Sequence, residues 1–171
     1  MLRDVGTTEM LAGTKHDKRG IYVVLDGLRS AFNVGSILRT SEAAGVRMVY
    51  LCGRTAHPPN AKLEKTALGA VNTVAWKYLK TTEDAVAELH DQGVRVIGVE
   101  TIADSVPYTE FIFPNPVGIV FGHELYGISK PVLARLDKVV RIPMQGFKTS
   151  INVATACGIV LFEIVRQHRE L

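Results

Sequence analysis

Short apolar runs that alternate with helix-like segments constrain the fold of this chain more than any other feature. The run Val117–Phe121 is apolar without alternation, which is typical of a strand buried on both faces. The runs Ile21–Leu25 and Val94–Val99 have the same character. Because strands separated by helices pair in parallel and are covered on both sides, the sequence predicts an α/β fold with a mainly parallel sheet and helices on both faces.

The predicted elements fill most of the chain. Further strands are predicted at Arg47–Gly53, Val74–Tyr78 and Val139–Ile142. Helices are predicted at Asn33–Ala44, Ala61–Ala70, Thr82–Gln92, Ser129–Leu136 and Ser150–Gln167. Asn33 is expected to cap the first helix and Gly45 to end it, and either Ser150 or Asn152 is expected to cap the last.

The last predicted helix, 150–167, is apolar on nearly all sides, whereas a helix at the end of a small domain normally has one polar face exposed to solvent. Either this helix is buried within the sheet packing, or its second face contacts another subunit. Its small residues Ala154, Ala156 and Gly158 would allow close helix contact. We therefore expect a symmetric homodimer.

A chain of 171 residues is most simply one domain, 1–171, in which the polar and basic residues 1–20 form a lead-in. That lead-in is interpreted either as a solvated segment or as an arm that contacts phosphates. The net charge of +3 permits a polyanionic partner without requiring one. Because no apolar run could cross a bilayer and no signal core opens the chain, we expect a cytoplasmic protein with no membrane partner. Cys52 and Cys157 are expected to be buried, reduced thiols.

Several common chemistries lack their residues in this sequence. No glycine-rich dinucleotide motif follows the first strand and no phosphate-binding loop is present, which disfavours an NAD-dependent oxidoreductase or an ATPase. His123-Glu124 begins like a zinc-protease helix, but Gly127 stands where the second histidine would be. The histidines are scattered, so no metal site is predicted.

Polar residues follow three of the predicted strands, where open α/β sheets bind ligands. They include Thr101 after Val99 and Glu124 after Phe121. Arg39 lies on the first helix one turn after Gly35, which leaves space beside it. From the residues alone, Arg39 is either a surface arginine paired with Glu42 or Glu64, or a site residue. Glu124 is likewise either a surface acid or a site residue, and Asn33, Ser150 and Asn152 are either helix caps or site residues.

Three motifs in order resemble those of the SpoU/TrmH branch of the SPOUT RNA methyltransferases. The first is Asn33-x-Gly35-x-x-x-Arg39, and the second runs from Gly122 through Glu124 and Gly127-Ile128 to Ser129. The third is Ile142-Pro143-Met144-x-Gly146-x-x-x-Ser150-Ile151-Asn152-Val153. One motif alone would be a weak signal, whereas three in family order across most of the chain are specific.

The resemblance implies a C-terminal trefoil knot, a homodimer and the cofactor S-adenosyl-L-methionine. In the family, backbone groups of three loops hold the cofactor, and these correspond here to 99–101, 121–124 and 142–152. The contacts expected on that basis are Thr101, Gly122, Ile142, Met144 and Ile151. The reaction implied is methylation of a ribose 2′-hydroxyl in structured RNA, with tRNA favoured over rRNA because the chain leaves no room for the extra N-terminal RNA-binding domain of many relatives.

The resemblance also assigns catalytic roles. In the family the first-motif arginine, here Arg39, makes the ribose hydroxyl oxygen more nucleophilic. Because a guanidinium does not readily give up a proton, we expect Arg39 to clamp the 3′-phosphate and stabilise developing oxyanion charge, and Glu124 to accept the hydroxyl proton or orient Arg39. Ser150 and Asn152 would shape the loop, and Asn33 would line the site. The candidate phosphate contacts are Arg29, Arg54, Lys62, Lys65 and Lys148. The alternatives are an rRNA 2′-O-methyltransferase or a non-catalytic RNA-binding dimer that kept the fold.

Overall fold

The computed structural model describes residues 9–10 and 20–169, and its strands form one sheet. The strands are β1 (Glu9–Met10), β2 (Ile21–Asp26), β3 (Met48–Cys52), β4 (Trp76–Leu79), β5 (Arg95–Val99), β6 (Val106–Pro107), β7 (Val117–Phe121) and β8 (Lys138–Arg141). Their order in the sheet is β1-β4-β3-β2-β7-β5-β8-β6. All pairings are parallel except that of β1 with β4. The predicted α/β class and mainly parallel sheet are confirmed.

Helices cover both faces of this sheet. They are α1 (Ala31–Ala44), α2 (Ala61–Ala67), α3 (Thr82–Asp91), α4 (Lys130–Leu133) and α5 (Val153–Arg169). Because side chains alternate along a strand, Val23 and Leu25 join the core under α1, α2 and α5, whereas Tyr22 and Val24 join the core under α3 and α4. Every residue of β7 is buried, as its unbroken apolar run predicted.

Helix α1 begins earlier than predicted. Its N-cap is Ser30, whose hydroxyl oxygen accepts a hydrogen bond from the Asn33 backbone N–H at 3.3 Å. The prediction that Asn33 caps this helix is therefore wrong, because Asn33 lies in the first turn with its side chain free for other contacts. Gly45 ends the helix with φ 71°, as predicted.

Helix α5 begins at Val153, not Ser150, and is capped by Asn152. The Asn152 Oδ1 accepts hydrogen bonds from the backbone N–H groups of Ala154 at 2.8 Å and Thr155 at 3.3 Å. One face of the helix is buried against the sheet, while Phe162 on the other is 49% exposed. Burial on all sides within one chain is therefore excluded for this helix.

Other boundaries differ from the predictions by a few residues. Helix α2 ends at Ala67, because Leu68 and Gly69 adopt left-handed backbone conformations before a separate 3-10 turn at Ala70–Asn72. Helix α4 is a single turn, shorter than the predicted Ser129–Leu136. Both cysteines are buried and free, and burial raises the pKa of each thiol. The predicted basic cluster at 15–19 lies outside the described residues.

Candidate active site at the carboxyl ends of three strands

A cavity of about 240 Å³ opens where the neighbouring strands β5, β7 and β8 end. Its walls come from the loops that follow these strands and from the start of α5. All five residues predicted to contact the cofactor line it: Thr101, Gly122, Ile142, Met144 and Ile151. Glu124, Ser150 and Asn152 line it as well, so most of the predicted site residues are brought together.

The loop after β7 is closed tightly on itself. His123 and Gly127 exchange backbone hydrogen bonds of 3.0 Å and 2.8 Å, which folds the intervening residues into a narrow turn. A Cβ atom on Gly122 would overlap the backbone of Gly127 and Ile128. Only glycine therefore fits at this point of the cavity wall.

The Glu100 carboxylate connects the loop after β7 to the loop after β5 through hydrogen bonds. Its Oε2 accepts a hydrogen bond from the Ile128 backbone N–H at 3.1 Å, and its Oε1 accepts one from the Thr101 N–H at 2.9 Å. The carboxylate also occupies the space where a side chain on Gly127 would lie. Glu100 was not among the residues predicted for the site, so sequence reasoning missed this function.

Glu124 connects the second motif to the first. Its Oε2 accepts a hydrogen bond from the Arg29 backbone N–H, and its Oε1 accepts bonds from the Ser30 N–H and the Asn33 amide, all at 2.9 Å. Helix α1 carries no acidic residue in its first turn, so this carboxylate supplies the negative charge that a helix N-terminus favours.

Asn33 extends the connection to the third motif. Its Oδ1 accepts a hydrogen bond from the Asn152 amide at 3.1 Å. A continuous chain of hydrogen bonds thus runs from Glu124 through Asn33 to Asn152, with one residue from each motif. Asn33 itself does not line the cavity, but its side chain bonds to Glu124 and Asn152, which do.

The surroundings of Glu124 favour its ionised form. Partial burial raises the pKa of this carboxyl, but the hydrogen bonds from Arg29, Asn33 and Ser30 outweigh burial, and the pKa lies below its ordinary value. A carboxylate that already accepts three hydrogen bonds and resists protonation is a poor proton acceptor near neutral pH. Its geometry suits a positioning residue.

Arg39 lies away from the cavity, whereas Asn33, the other predicted site residue that does not line it, bonds to Glu124 and Asn152, which do. Arg39 is exposed on α1, is absent from the cavity walls, and makes no ion pair with Glu42 or Glu64 among the described side chains. The space expected beside Gly35 is filled by α2, because a Cβ there would overlap the Leu63 carbonyl oxygen and crowd the Thr66 hydroxyl. Gly35 therefore serves helix packing and leaves no room beside Arg39.

The candidate phosphate contacts are spread over the surface. Arg29, Arg54, Lys62, Lys65 and Lys148 are all exposed, and Lys148 lies next to the cavity on the loop after β8. Within residues 20–169, no group of three or more His, Cys, Asp or Glu side chains could hold a metal ion. No helix in that part of the chain is long and apolar enough to span a bilayer.

Residues 20–162 match the family model described as the SpoU rRNA Methylase family. The chain belongs to this family. It is 32% identical over 164 residues to a tRNA (guanosine(18)-2′-O)-methyltransferase of Escherichia coli strain K12, covering 94% of this chain and 68% of that protein. It is 33% identical over 162 residues to a 23S rRNA (guanosine-2′-O-)-methyltransferase of Xanthomonas axonopodis pv. citri, covering 95% of this chain and 63% of that protein.

A solved rRNA methyltransferase structure has the same fold. The AdoMet-bound rRNA methyltransferase from Sinorhizobium meliloti superposes with a TM-score of 0.80 at 33% identity, covering 86% of this chain and 56% of that one. The chain spans about 60% of the length of the first curated relatives that it matches. The motifs shared with the SpoU family all lie within the matched residues.

Replacing Glu124 by glutamine tests its positioning role. We expect the free energy of unfolding to fall by about 1–3 kcal/mol at neutral pH, because one oxygen becomes an amide that faces a backbone N–H donor and leaves it unpaired. The lowered pKa of Glu124 adds stability above the unfolded pKa of about 4.3, and that stability is lost as pH falls through the folded pKa. The difference between wild type and variant should therefore shrink in acid.

Urea unfolding across a pH series measures both effects. Glu110→Gln is the matched control, since Glu110 is exposed on the 3-10 turn Tyr108–Glu110. Equal stability of Glu124→Gln and the control at pH 7 would contradict the role assigned to the Glu124 hydrogen bonds.

Proposed function

We propose that this chain is a homodimeric RNA methyltransferase that transfers a methyl group from S-adenosylmethionine to a ribose 2′-hydroxyl. The observation that carries the proposal is the hydrogen-bonded chain from Glu124 through Asn33 to Asn152 at the edge of a cavity lined by loop backbone. The names of the E. coli and Xanthomonas relatives place 2′-O-methylation of tRNA and of rRNA within the family. The two relatives match this chain at nearly the same identity, 33% and 32%, so the proposal keeps tRNA as the expected substrate and rRNA as the alternative.

The cavity fits a cofactor with a neutral adenine ring. Gly122 presents bare backbone at one wall, and Ile142, Met144 and Ile151 supply apolar surface around it. This is the composition expected of a pocket that recognises an adenine through backbone groups and packs it between aliphatic side chains. The bound cofactor would supply a reactive methyl group on a sulfonium. The AdoMet-bound relative from S. meliloti supports the assignment.

Arg39 acts in this proposal from the second subunit. It lies outside the cavity of its own chain, on a helix that packs beside α5. Phe32 on α1 and Phe162 on α5 are 50% and 49% exposed, which is the apolar surface expected at an isologous interface formed by these two helices. Such a dimer would bring α1 of one chain towards the cavity of the other.

The protein contributes orientation and charge to the reaction. A cofactor held by the loops after β5, β7 and β8 would supply the methyl group: its C–S bond would break as the ribose oxygen forms the new C–O bond, and the hydroxyl proton would pass to solvent. The Arg39 guanidinium stabilises the negative charge that develops on that oxygen and binds the adjacent phosphate. Glu124 and Asn33 hold α1 against the loops of the cavity, Asn152 starts α5, and Ser150 lies exposed at the rim, where RNA can contact it.

The proposal also includes a C-terminal trefoil knot, a single domain and a cytoplasmic location. In the sheet, strand β8 lies between β5 and β6. In the chain, β6 directly follows β5, and β8 comes later, so β8 is inserted between two strands that are already connected. This arrangement supports a C-terminal trefoil knot. The described elements share one sheet, which supports a single methyltransferase domain over 1–171. An RNA substrate of this kind also supports the cytoplasm as the expected compartment.

Transfer of labelled methyl from the cofactor to bulk tRNA and rRNA tests the function. We expect label in tRNA, at a site that resists alkaline cleavage because its 2′-oxygen is methylated. Arg39→Ala is the negative control. If calorimetry detects RNA binding while neither RNA acquires label and the cofactor does not bind, the non-catalytic RNA-binding dimer replaces this proposal.

A further inference from the structure

We propose that a second groove, beside the first cavity, holds an unpaired nucleotide next to the methylated one, with its base stacked on Phe147. This inference rests on the proposed function and names the part of the RNA that the groove recognises. The groove has a volume of about 380 Å³ and is lined mainly by the loop that follows β8. Thr101, Ile142, Met144 and Thr149 line both the groove and the first cavity. A strand whose ribose enters the cavity could therefore continue directly into the groove.

Phe147 carries the inference because its ring is not packed against its own chain. Its exposure is 108% of the reference value, the largest among the exposed apolar side chains of the described residues. It lies in the variable spacer of the third motif, between Gly146 and Ser150, and therefore outside the pattern that identifies the family. An aromatic ring held in water at the rim of a binding groove is suited to stack on a base, since every base offers a π-face.

The charges around Phe147 select a polyanionic partner. Arg141 and Lys148 line the same groove, and the sequence from Lys138 to Phe162 contains no aspartate or glutamate. Cations beside an exposed aromatic ring, with no acids between them, form the usual combination of backbone and base contacts in single-stranded RNA recognition. A protein partner would require a larger apolar surface than Phe147 and the short apolar run 142–144 provide between two cations.

A stacking residue here would also favour the reaction. A ribose hydroxyl reaches a cavity in the protein only if the local RNA opens, so neighbouring bases lose stacking partners. Phe147 would replace one of those partners at the point where the strand leaves the cavity. Its contribution should therefore appear in the KM for RNA and leave cofactor affinity unchanged.

Phe147→Ala and Lys148→Ala test the groove with the full-length protein. We expect Phe147→Ala to raise the KM for the substrate RNA roughly 10-fold or more, with Phe147→Trp close to wild type because an aromatic ring is retained. Lys148→Ala should weaken RNA binding and reduce its salt dependence. The matched controls are Ile112→Ala, at a side chain 85% exposed, and Lys138→Ala, at an exposed lysine that begins β8; neither residue lines the groove or the first cavity.

Phe147→Trp also provides a test that does not require catalysis. Trp76 is the one native tryptophan and is only 5% exposed, so added fluorescence comes from position 147. A short single-stranded oligouridylate should quench that fluorescence, whereas the same oligomer annealed to its complement should not. This result would stand even if no RNA were methylated, in which case the proposed function fails and the groove remains an RNA site.

Three results would overturn the inference. Equal KM values for Phe147→Ala and Ile112→Ala would mean that the ring does not contact RNA. A weaker cofactor affinity with an unchanged KM for RNA would place the groove in the cofactor site. A change of oligomeric state in Phe147→Ala, measured by sedimentation, would place the ring at the subunit interface.

Discussion

Arg39→Ala is expected to lower the rate of methyl transfer to RNA by about 10² to 10³-fold, as the loss of one donor to a developing oxyanion does in other enzymes. Cofactor affinity should not change, because the proposed partners of Arg39 are the ribose oxygen and the adjacent phosphate of the RNA, and none of them belongs to the cofactor. Arg39→Lys should recover part of the rate, since an ammonium keeps the charge but loses the planar pair of donors that binds a phosphate. Single-turnover kinetics with saturating cofactor measure the chemical step directly.

Glu42→Ala is the matched control for Arg39→Ala. Glu42 is exposed on the same helix, three residues further on, and its removal should change the rate by no more than about two-fold. A rate for Arg39→Ala within that range would show that the guanidinium has no part in the reaction, and the catalytic assignment based on the first motif would fall.

Mixing two inactive chains decides which subunit supplies Arg39. Heterodimers of Arg39→Ala and Gly122→Ala contain one intact cavity, on the first chain, and one intact arginine, on the second. If Arg39 acts across the dimer, a statistical mixture should recover roughly a quarter of the wild-type sites. If it acts within its own chain, every site lacks one component and the mixture should remain inactive.

The central strands could be predicted because their burial leaves a trace in the sequence. Ile21–Leu25 and Val117–Phe121 are covered on both faces, so every residue is apolar and the run is unbroken. Strands β1 and β6 have only two residues each, which is too short for any periodic pattern. They exist because neighbouring strands offer unpaired backbone groups, and a single-sequence pattern contains no information on that pairing.

The role of Asn33 shows why local signals misplace a site residue. Serine and asparagine are both favoured N-cap residues, and the sequence does not specify whether the helix begins after Ser30 or after Asn33. Glu124, far along the chain, decides between them, because it binds the Ser30 N–H and the Asn33 amide together. Glu100 escaped prediction for a related reason, since its partners are backbone groups of a loop that exists only after folding.

The predicted cofactor contacts came from the family resemblance, and the fold gathers these residues into one cavity. Chain order alone could not have placed them there, because the three loops follow strands β5, β7 and β8, which are neighbours only in the sheet order β7-β5-β8. The same topology leaves Arg39 outside. The exposed face of α1 can point to the cavity of the same chain or to that of a second subunit, and which of these holds depends on how the subunits assemble. The residue pattern of α1 does not specify that arrangement.

Gly122→Ala is expected to weaken cofactor binding strongly. A methyl group at this position would overlap the backbone of Gly127 and Ile128, and backbone cannot rotate away as a flexible side chain can. The loop must open, which separates the His123–Gly127 hydrogen bonds that shape the cavity wall. Overpacking of this kind costs about 1–3 kcal/mol or more, so the cofactor Kd should rise roughly 10- to 100-fold or beyond.

Gly146→Ala is the matched control, because it makes the same chemical change beside the same cavity. Nothing lies within 4 Å of the Cβ that this substitution would add, and Gly146 does not require the left-handed backbone region. Its cofactor Kd should therefore stay within about two-fold of wild type. Calorimetric titration with S-adenosylmethionine measures both variants, and thermal unfolding establishes that each is folded. A folded Gly122→Ala that bound the cofactor as tightly as Gly146→Ala would contradict this prediction. The cavity wall formed by Gly122 and Gly127 would then have changed without affecting the cofactor, so the cofactor would have to bind elsewhere.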